Sequence, residues 1–238
     1  FSARPLLHRA SPPPPPPNMD TLESIRARRT LKVFRDPETP LPAAPDGLAE
    51  ELGELMEAAT QAPFHYPCHT SHRADGLDSP VPWRFYDLDA MGCRAMIEWI
   101  EREGERAGKM PHMLAAADAC VLVTWLPDPP AGGGATDDER AFQGYEPTHR
   151  NMEHIAGAAS AVQNLLLAAT SKGRTTYWSS GGVFRTEPAY QHLGIPSAEI
   201  LLGAIFLFPD VDDGLEARPG KHRDSRGPRE SWSRTLRP

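Results

Sequence analysis

Ala156-Gly157-Ala158-Ala159-Ser160-Ala161-Val162-Gln163-Asn164-Leu165-Leu166-Leu167-Ala168-Ala169 is the stretch whose reading decides the fold. It forms the second half of the longest helical pattern in the chain, Glu146 to Lys172, and is apolar nearly all round. A surface helix carries a single apolar stripe, whereas a helix without a broad polar face belongs in a core or at a subunit interface. Gly173 then stands where a helix stop is expected. Strand patterns surround this helix: Trp83 to Leu88 alternates, Cys120 to Leu126 reads as a buried strand, Thr175 to Trp178 is short, and Ile200 to Phe208 is the last. Further helices are expected from Asp20, where Asp20 and Glu23 have capping-box spacing, and from Asp46, which would cap Leu48, Leu52, Leu55, Met56 and Ala59. Asp89 to Arg106 reads as a helix with Met96, Ile97 and Ile100 on one face, and Thr186 would cap a small helix ending at Gly194. The strands are few, the helices long, and no regular βαβ rhythm appears. The fold class is α+β, a sheet wrapped by helices.

The chain has 238 residues, of which 39% are hydrophobic and 24% charged, enough to build one core of good size. Residues 1–18, with a run of six prolines from Pro12 to Pro17, cannot pack and read as a disordered leader, leaving residues 19–238 as one domain. The leader contains arginine and no acid, which resembles an organelle transit peptide. The plainer expectation is upstream sequence ahead of a start at Met19, with a cytoplasmic location. The net charge of −7 is unevenly distributed: residues 1–18 carry +2 and residues 217–238 carry +5, which leaves −14 on the body. An acidic body argues against a general nucleic-acid binder, and the basic tail is either a solvated end or a local anion site. Three unpatterned cysteines, Cys68, Cys93 and Cys120, make no disulfide framework. No apolar run approaches the roughly 18 residues of a membrane span.

Three segments carry the polar chemistry. Arg28-Arg29-Thr30-Leu31-Lys32 places two guanidiniums, a hydroxyl and an ammonium together. In an extended chain Arg28, Thr30 and Lys32 point the same way, suited to a phosphate and polyol oxygens, unless the run is simply a solvated strand end. Trp178-Ser179-Ser180-Gly181-Gly182 follows a strand and offers close backbone approach to a flat ligand, or is an ordinary glycine turn. His65-Tyr66-Pro67-Cys68-His69-Thr70-Ser71-His72 matches no standard zinc spacing, so a loop lining a pocket is expected rather than a metal site. No G-x-G-x-x-G, G-x-S-x-G, H-E-x-x-H or Walker A motif occurs.

Taken in order, these segments resemble the nitroreductase family of FMN enzymes. Ser24 to Phe34 is similar to its Arg-Arg-Ser/Thr-x-Arg/Lys-x-Phe signature, and Ala58 to His65 with Pro82-Trp83-Arg84-Phe85 is similar to its Ala-Pro-x-x … Pro-Trp-x-Phe block; His65 resembles the small single-domain branch. Ala161 to Ala169, Gly173 and Tyr177 to Gly181 resemble the central helix and the strand–glycine turn. His192 to Pro196, Phe208-Pro209 and Arg226-Gly227-Pro228 with Trp232 resemble the C-terminal elements. The resemblance implies a sandwich with a mostly antiparallel central sheet, and a homodimer with the long helix at its interface and FMN bound between subunits. It also implies hydride supply by NADH or NADPH. It assigns Arg28, Arg29, Thr30 and Lys32 to the FMN phosphate, ribityl chain and pyrimidine edge. His65 is assigned to a flavin-packing loop from the partner, Ser179, Ser180 and Gly181 to the vicinity of flavin N5, and Arg226, or alternatively Arg223, to the phosphate. The chain departs from the family in the insertion Cys68 to Val81, which leaves open which of Cys68, His69 and Thr70 meets flavin or whether the insertion shapes the substrate pocket. The long segment Pro127 to Tyr145 reads as a loop suited to act as a lid.

The implied reaction is ping-pong transfer of hydride through flavin N5 to a nitroaromatic, quinone or activated alkene. No dedicated catalytic side chain is expected, because the cofactor carries the chemistry. The same scaffold also suits dehalogenation, flavin fragmentation or flavin binding without turnover.

Overall fold

The computed structural model describes residues 19–40, 45–73, 76–129, 142–209, 215–223 and 225–237. The expected leader and the glycine run 132–134 lie outside these residues, as does most of the expected lid loop. Helix α1 (Thr21–Ala27) opens with the capping box. The Asp20 carboxylate accepts the Glu23 N–H at 2.8 Å, and the Glu23 carboxylate accepts the Asp20 N–H at 3.2 Å. Strand β1 (Leu31–Phe34) follows. Helix α2 (Leu48–Thr60) starts later than a cap at Asp46 would place it. Gly47, at φ 75°, takes the cap position with no side-chain bond, and the Pro45 carbonyl accepts the Leu48 N–H at 3.3 Å. A backbone turn through a positive φ, open to glycine, has displaced the side-chain cap and left Asp46 outside the helix.

Strand β2 (Trp83–Asp89) runs directly into α3 (Ala90–Glu103), where the Asp89 carboxylate accepts the Gly92 N–H at 2.7 Å. Helix α4 (Met110–Ala116) has no counterpart in the sequence reading, because about two turns are too short to show a period. Strand β3 (Ala119–Trp125) is followed by the long helix α5 (His149–Ser171). Thr148 caps α5, and Gly173 at φ 82° closes it just beyond Lys172. Strand β4 (Thr175–Ser179), helix α6 (Glu187–Leu193, capped by Thr186 and ended by Gly194), strand β5 (Ile200–Phe208) and strand β6 (Glu216–Pro219) complete the order. Among the described residues no helix is long and apolar enough to cross a membrane.

Four strands form one antiparallel sheet in the order β2-β3-β5-β4. Every residue of β3 is buried. Alternate residues serve opposite faces, as the period of two requires. Cys120 and Leu122 join the core made by α3, α4 and α6, whereas Ala119, Val121, Val123 and Trp125 join the core made by α2 and α5. The expected sandwich is therefore present, with helices on both faces of an antiparallel sheet. Helix α5 buries Asn151, His154, Ala158, Ala161, Leu165 and Ala169, a helical stripe facing the sheet. Its opposite side keeps Met152, Ala156 and Gln163 exposed in the single chain.

The second sheet is a ribbon of β1 and β6, paired antiparallel from Leu31↔Pro219 to Phe34↔Glu216. The α2–α5 layer is tied to the main sheet by a partly buried ion network. Arg174 donates to Glu51 through Nε at 2.9 Å and Nη2 at 2.6 Å, and through Nη1 to Asp118 at 2.8 Å. The Asp118 side chain is only 4% exposed. Burial pushes its carboxyl upward, and Arg174 opposes that push.

Arg174→Ala would strand the Asp118 charge in the core. We expect a loss of about 3 kcal/mol in urea unfolding, with part recovered by adding Asp118→Asn, since a stranded buried charge is the main cost. An additive double variant would contradict this account.

Candidate functional site

The β1–β6 ribbon brings the two basic ends of the sequence together. The ladder continues past its last strand pair, with the Gly220 N–H donating to the Thr30 carbonyl at 2.8 Å. Arg223 then reaches back to the end of α1, donating to the Arg28 and Arg26 carbonyls, each at 2.9 Å. The Arg28 guanidinium is half-buried and its proton affinity is lowered. Burial is the largest cause, followed by the charges of Arg223, Arg226 and Arg29. Among the described residues no carboxylate forms an ion pair with Arg28, Arg29 or Arg226. A group of guanidiniums that repel one another has the chemistry to suit a multiply charged anion, which would remove the repulsion and accept bidentate bonds.

The members of the first segment divide their work. Arg29 turns back onto α1, where its Nη1 donates to the carbonyls of Arg26, Ala27 (3.1 Å) and Arg28 (3.2 Å), so it closes the helix end. Thr30 lends its carbonyl to the ribbon. Lys32 holds its Nζ 4.9 Å above the centre of the Tyr177 ring, a cation–π contact that joins β1 to β4. Tyr177 thus belongs to the neighbourhood, and only the spatial approach of β1 to β4 reveals it.

Beyond Tyr177, β4 ends at the second segment. Ser179 is buried and Ser180 exposed. Gly181 sits at φ 110°, a conformation that requires glycine, and a Cβ there would lie 2.4 Å from Leu201 Cδ2 and have to displace it. The turn is braced from within: the Gly181 N–H donates to Ser179 Oγ at 3.3 Å, and Arg185 donates to the Ser180 carbonyl at 2.5 Å and the Leu202 carbonyl at 3.1 Å. In this state the Gly181 N–H is engaged internally. The Arg28 group, Lys32 and the Ser179–Gly181 turn are therefore linked through Tyr177.

His65 lies elsewhere in the single chain. Its loop packs on α5, where a Cβ at Gly157 would meet the Trp83 ring at 3.2 Å and the Pro63 carbonyl at 3.5 Å. The His65 imidazole bonds through Nδ1 to Glu153 Oε2 at 2.9 Å. The other potential ligands of that segment go separate ways. Cys68 Sγ approaches the Ser79 carbonyl at 3.6 Å, His69 bonds Ser71 at 2.8 Å, and His72 Nε2 bonds the Pro127 carbonyl at 2.7 Å.

The insertion is organised by a residue to which the sequence analysis gave no role, Arg84 of the Pro82-Trp83-Arg84-Phe85 block. Arg84, buried in β2, donates to five carbonyls: Val81 (3.0 Å), Trp83 (2.8 Å), His72 (3.0 Å), Leu77 (2.8 Å) and Ser79 (3.3 Å). Glu199 is a second buried charge. It accepts from the Tyr86 hydroxyl at 2.9 Å and from the Thr124 hydroxyl. Gln143 spans the backbone beside it, accepting the Leu201 N–H at 2.9 Å and donating to the Glu199 carbonyl at 3.3 Å. The signals were a lone Arg in a strand pattern and a lone Glu before another, neither informative until the strands are paired.

Residues 25–207 match the model of the Nitroreductase family. The chain belongs to the nitroreductase family. Solved structures agree in fold. A nitroreductase-like protein of Bacillus cereus superposes with a TM-score of 0.59 at 18% identity, over 92% of this chain and 97% of that one. A candidate NAD(P)H:FMN oxidoreductase of Staphylococcus epidermidis gives 0.57 at 18% identity, over 94% and 99%. A candidate nitroreductase of Desulfovibrio desulfuricans, solved in complex with FMN, gives 0.50 at 20% identity, over 82% and 88%. No curated protein matches the sequence. Arg223 and Arg226 of this nitroreductase lie beyond the matched span, and the tail that carries them is held to α1 by the Arg223 bonds to the Arg26 and Arg28 carbonyls.

Burial raises the Glu199 carboxyl above its ordinary value, with Thr124, Tyr86 and Arg84 opposing the rise. A carboxyl raised on folding contributes stability that is present below its unfolded value near 4.5 and is lost as pH climbs through the folded value. Glu199→Gln should therefore raise Tm at pH 7–8 by about 2–4 °C, for about 1 kcal/mol of relieved desolvation. The gain should vanish below about pH 4, where both forms are neutral. A gain that persists in acid would refute the cause.

Proposed function

We propose that this nitroreductase is an FMN-dependent oxidoreductase, fed by NADH or NADPH, that reduces a small organic acceptor. The carrying observation is the guanidinium group around Arg28, in which, among the described residues, Arg28, Arg29 and Arg226 form no ion pair with a carboxylate, and which is joined through Lys32 and Tyr177 to a turn with Gly181 at φ 110°. A flavin mononucleotide suits that pairing, with a dianionic phosphate at one end and a flat ring system at the other. FMN bound there supplies two-electron hydride chemistry, with the donor leaving before the acceptor enters.

The chain's own residues bind and orient. Arg28 and Arg226 would meet the phosphate, with Arg223 holding the tail that carries Arg226 against α1. Arg29 would contribute charge while closing α1. Thr30 and Lys32 would face the ribityl chain and pyrimidine edge; an ammonium at that edge favours negative charge on the reduced ring. Ser179, Ser180 and Gly181 would bring backbone against the ring, and His65 would come from a second subunit. This last assignment fits the separation of His65 from the arginine group within one chain.

A homodimer is part of the same reading. Leu22 and Ile25 of α1 and Met152 of α5 are exposed apolar side chains in the single chain, at 60%, 48% and 61%. Exposed apolar surface of this kind is what a second copy would cover. A cytoplasmic setting suits the three cysteines, all buried and free.

Arg28→Ala should lower FMN retained after gel filtration by at least about tenfold, the loss of one charge-assisted phosphate contact. Unchanged flavin content would remove Arg28 from the phosphate site. Wild-type flavin should bleach anaerobically on mixing with NADH or NADPH. Light scattering at micromolar concentration should return about twice the 26.1 kDa chain mass, and a monomer would refute the dimer.

A further inference from the structure

The carboxylate of Glu153 stands apart from the residues assigned above to the flavin, save His65, and two imidazoles converge on it. Oε2 meets His65 Nδ1 at 2.9 Å, and Oε1 lies 3.7 Å from His149 Nε2. Glu153 is 28% exposed, whereas the His65 and His149 side chains are 74% and 67% exposed. The nearby cation is engaged elsewhere: Arg150 pairs with Asp128 at 3.0 Å and stacks 5.0 Å above the Tyr66 ring. Tyr66 in turn meets the His149 ring edge-on at 6.1 Å. Among the described residues the ion pairs of Glu153 are with these two imidazoles only.

A carboxylate on Nδ1 does two things to an imidazole. It fixes the neutral ring as the Nδ1–H tautomer, and it aims Nε2 away from itself. When the ring is protonated, Nε2–H becomes an acid pointing outward while the carboxylate stabilises the cation behind it. This is the orienting role that a buried carboxylate plays toward a catalytic histidine. Here the imidazole projects from the loop that the flavin reading places against the ring system.

We propose that His65 is the proton donor in acceptor reduction, with Glu153 as its positioning residue. The proposal rests on the flavin reading. Bound FMN would supply the hydride pair for the new bond. As the acceptor's π bond breaks, its electron pair would take the proton from His65 Nε2–H, and His65 would regain a proton from the solvent to which it is open. One hydride and one proton complete the reduction.

Two measurements test this. In ¹⁵N NMR of the holoprotein, neutral His65 should be the Nδ1–H tautomer and should shift toward Nε2–H in Glu153→Ala; a wild-type Nε2–H tautomer would overturn the positioning role. In stopped flow, measured relative to its own rate of flavin reduction by NAD(P)H, Glu153→Ala should slow reoxidation by 2-methyl-1,4-naphthoquinone by at least about tenfold, since a general acid typically contributes 10²–10⁴. His65→Gln should slow reoxidation as much or more, and the double variant no further. Ferricyanide takes electrons without a proton, so it should reoxidise wild type and Glu153→Ala alike. Quinone rates within twofold of wild type, or equal slowing with ferricyanide, would overturn the proposal. If neither NADH nor NADPH bleaches wild-type flavin, the flavin reading itself fails and takes this step with it.

Discussion

The double burial of β3 is the constraint from which the rest of the architecture follows. A strand with no solvent face needs an apolar layer on each side, and the chain supplies α3, α4 and α6 for one and α2 with α5 for the other. With both faces covered, the polar chemistry can only gather at strand ends and at an added ribbon. It does so: the glycine turn follows the end of β4, the insertion precedes β2, and the arginine group sits on the β1–β6 ribbon.

Charge follows the same logic. The body carries a strong excess of acid, and the tail a strong excess of base. A backbone ladder extended by Thr30 and Gly220, then a side-chain clasp by Arg223, return that tail to the start of the fold. Main-chain bonds and the Arg223 and Arg29 side chains do the holding, and the positive charges are brought close together around Arg28. Repulsion of this sort is tolerated in a fold only where other contacts dominate, which here are the paired backbone and the apolar packing of Val33 and Phe34.

Much of this was legible in the sequence. The capping box at Asp20, the stops at Gly173 and Gly194, and the apolar runs of β3 and β5 are local signals, and the structure follows them. Asp46 misled because a Pro45–Gly47 turn competes with side-chain capping, and the pattern alone does not rank the two. Helix α4 escaped because a period needs length. In the site, Arg28, Lys32 and Gly181 were visible as residue types in telling neighbourhoods. Tyr177, Arg84, Glu199 and Glu153 were not, because each gains its meaning from a partner far away in sequence: Lys32 for Tyr177, Leu77 and His72 carbonyls for Arg84, Thr124 for Glu199 and His65 for Glu153.

Arg84 has a consequence for how this chain can change over time. Its guanidinium grips only main-chain oxygens of residues 72 to 83, and main-chain oxygens are the same whatever side chain is attached. The loop's course is thus held largely by a residue outside it, with the loop's own His72 adding one bond to the Pro127 carbonyl at 2.7 Å. Exposed positions that make no such bond, such as Asp78, can be exchanged without loosening the anchor. An inserted segment of this construction is a stable mount for variable chemistry, able to diversify in what it presents while keeping the path along which it presents it.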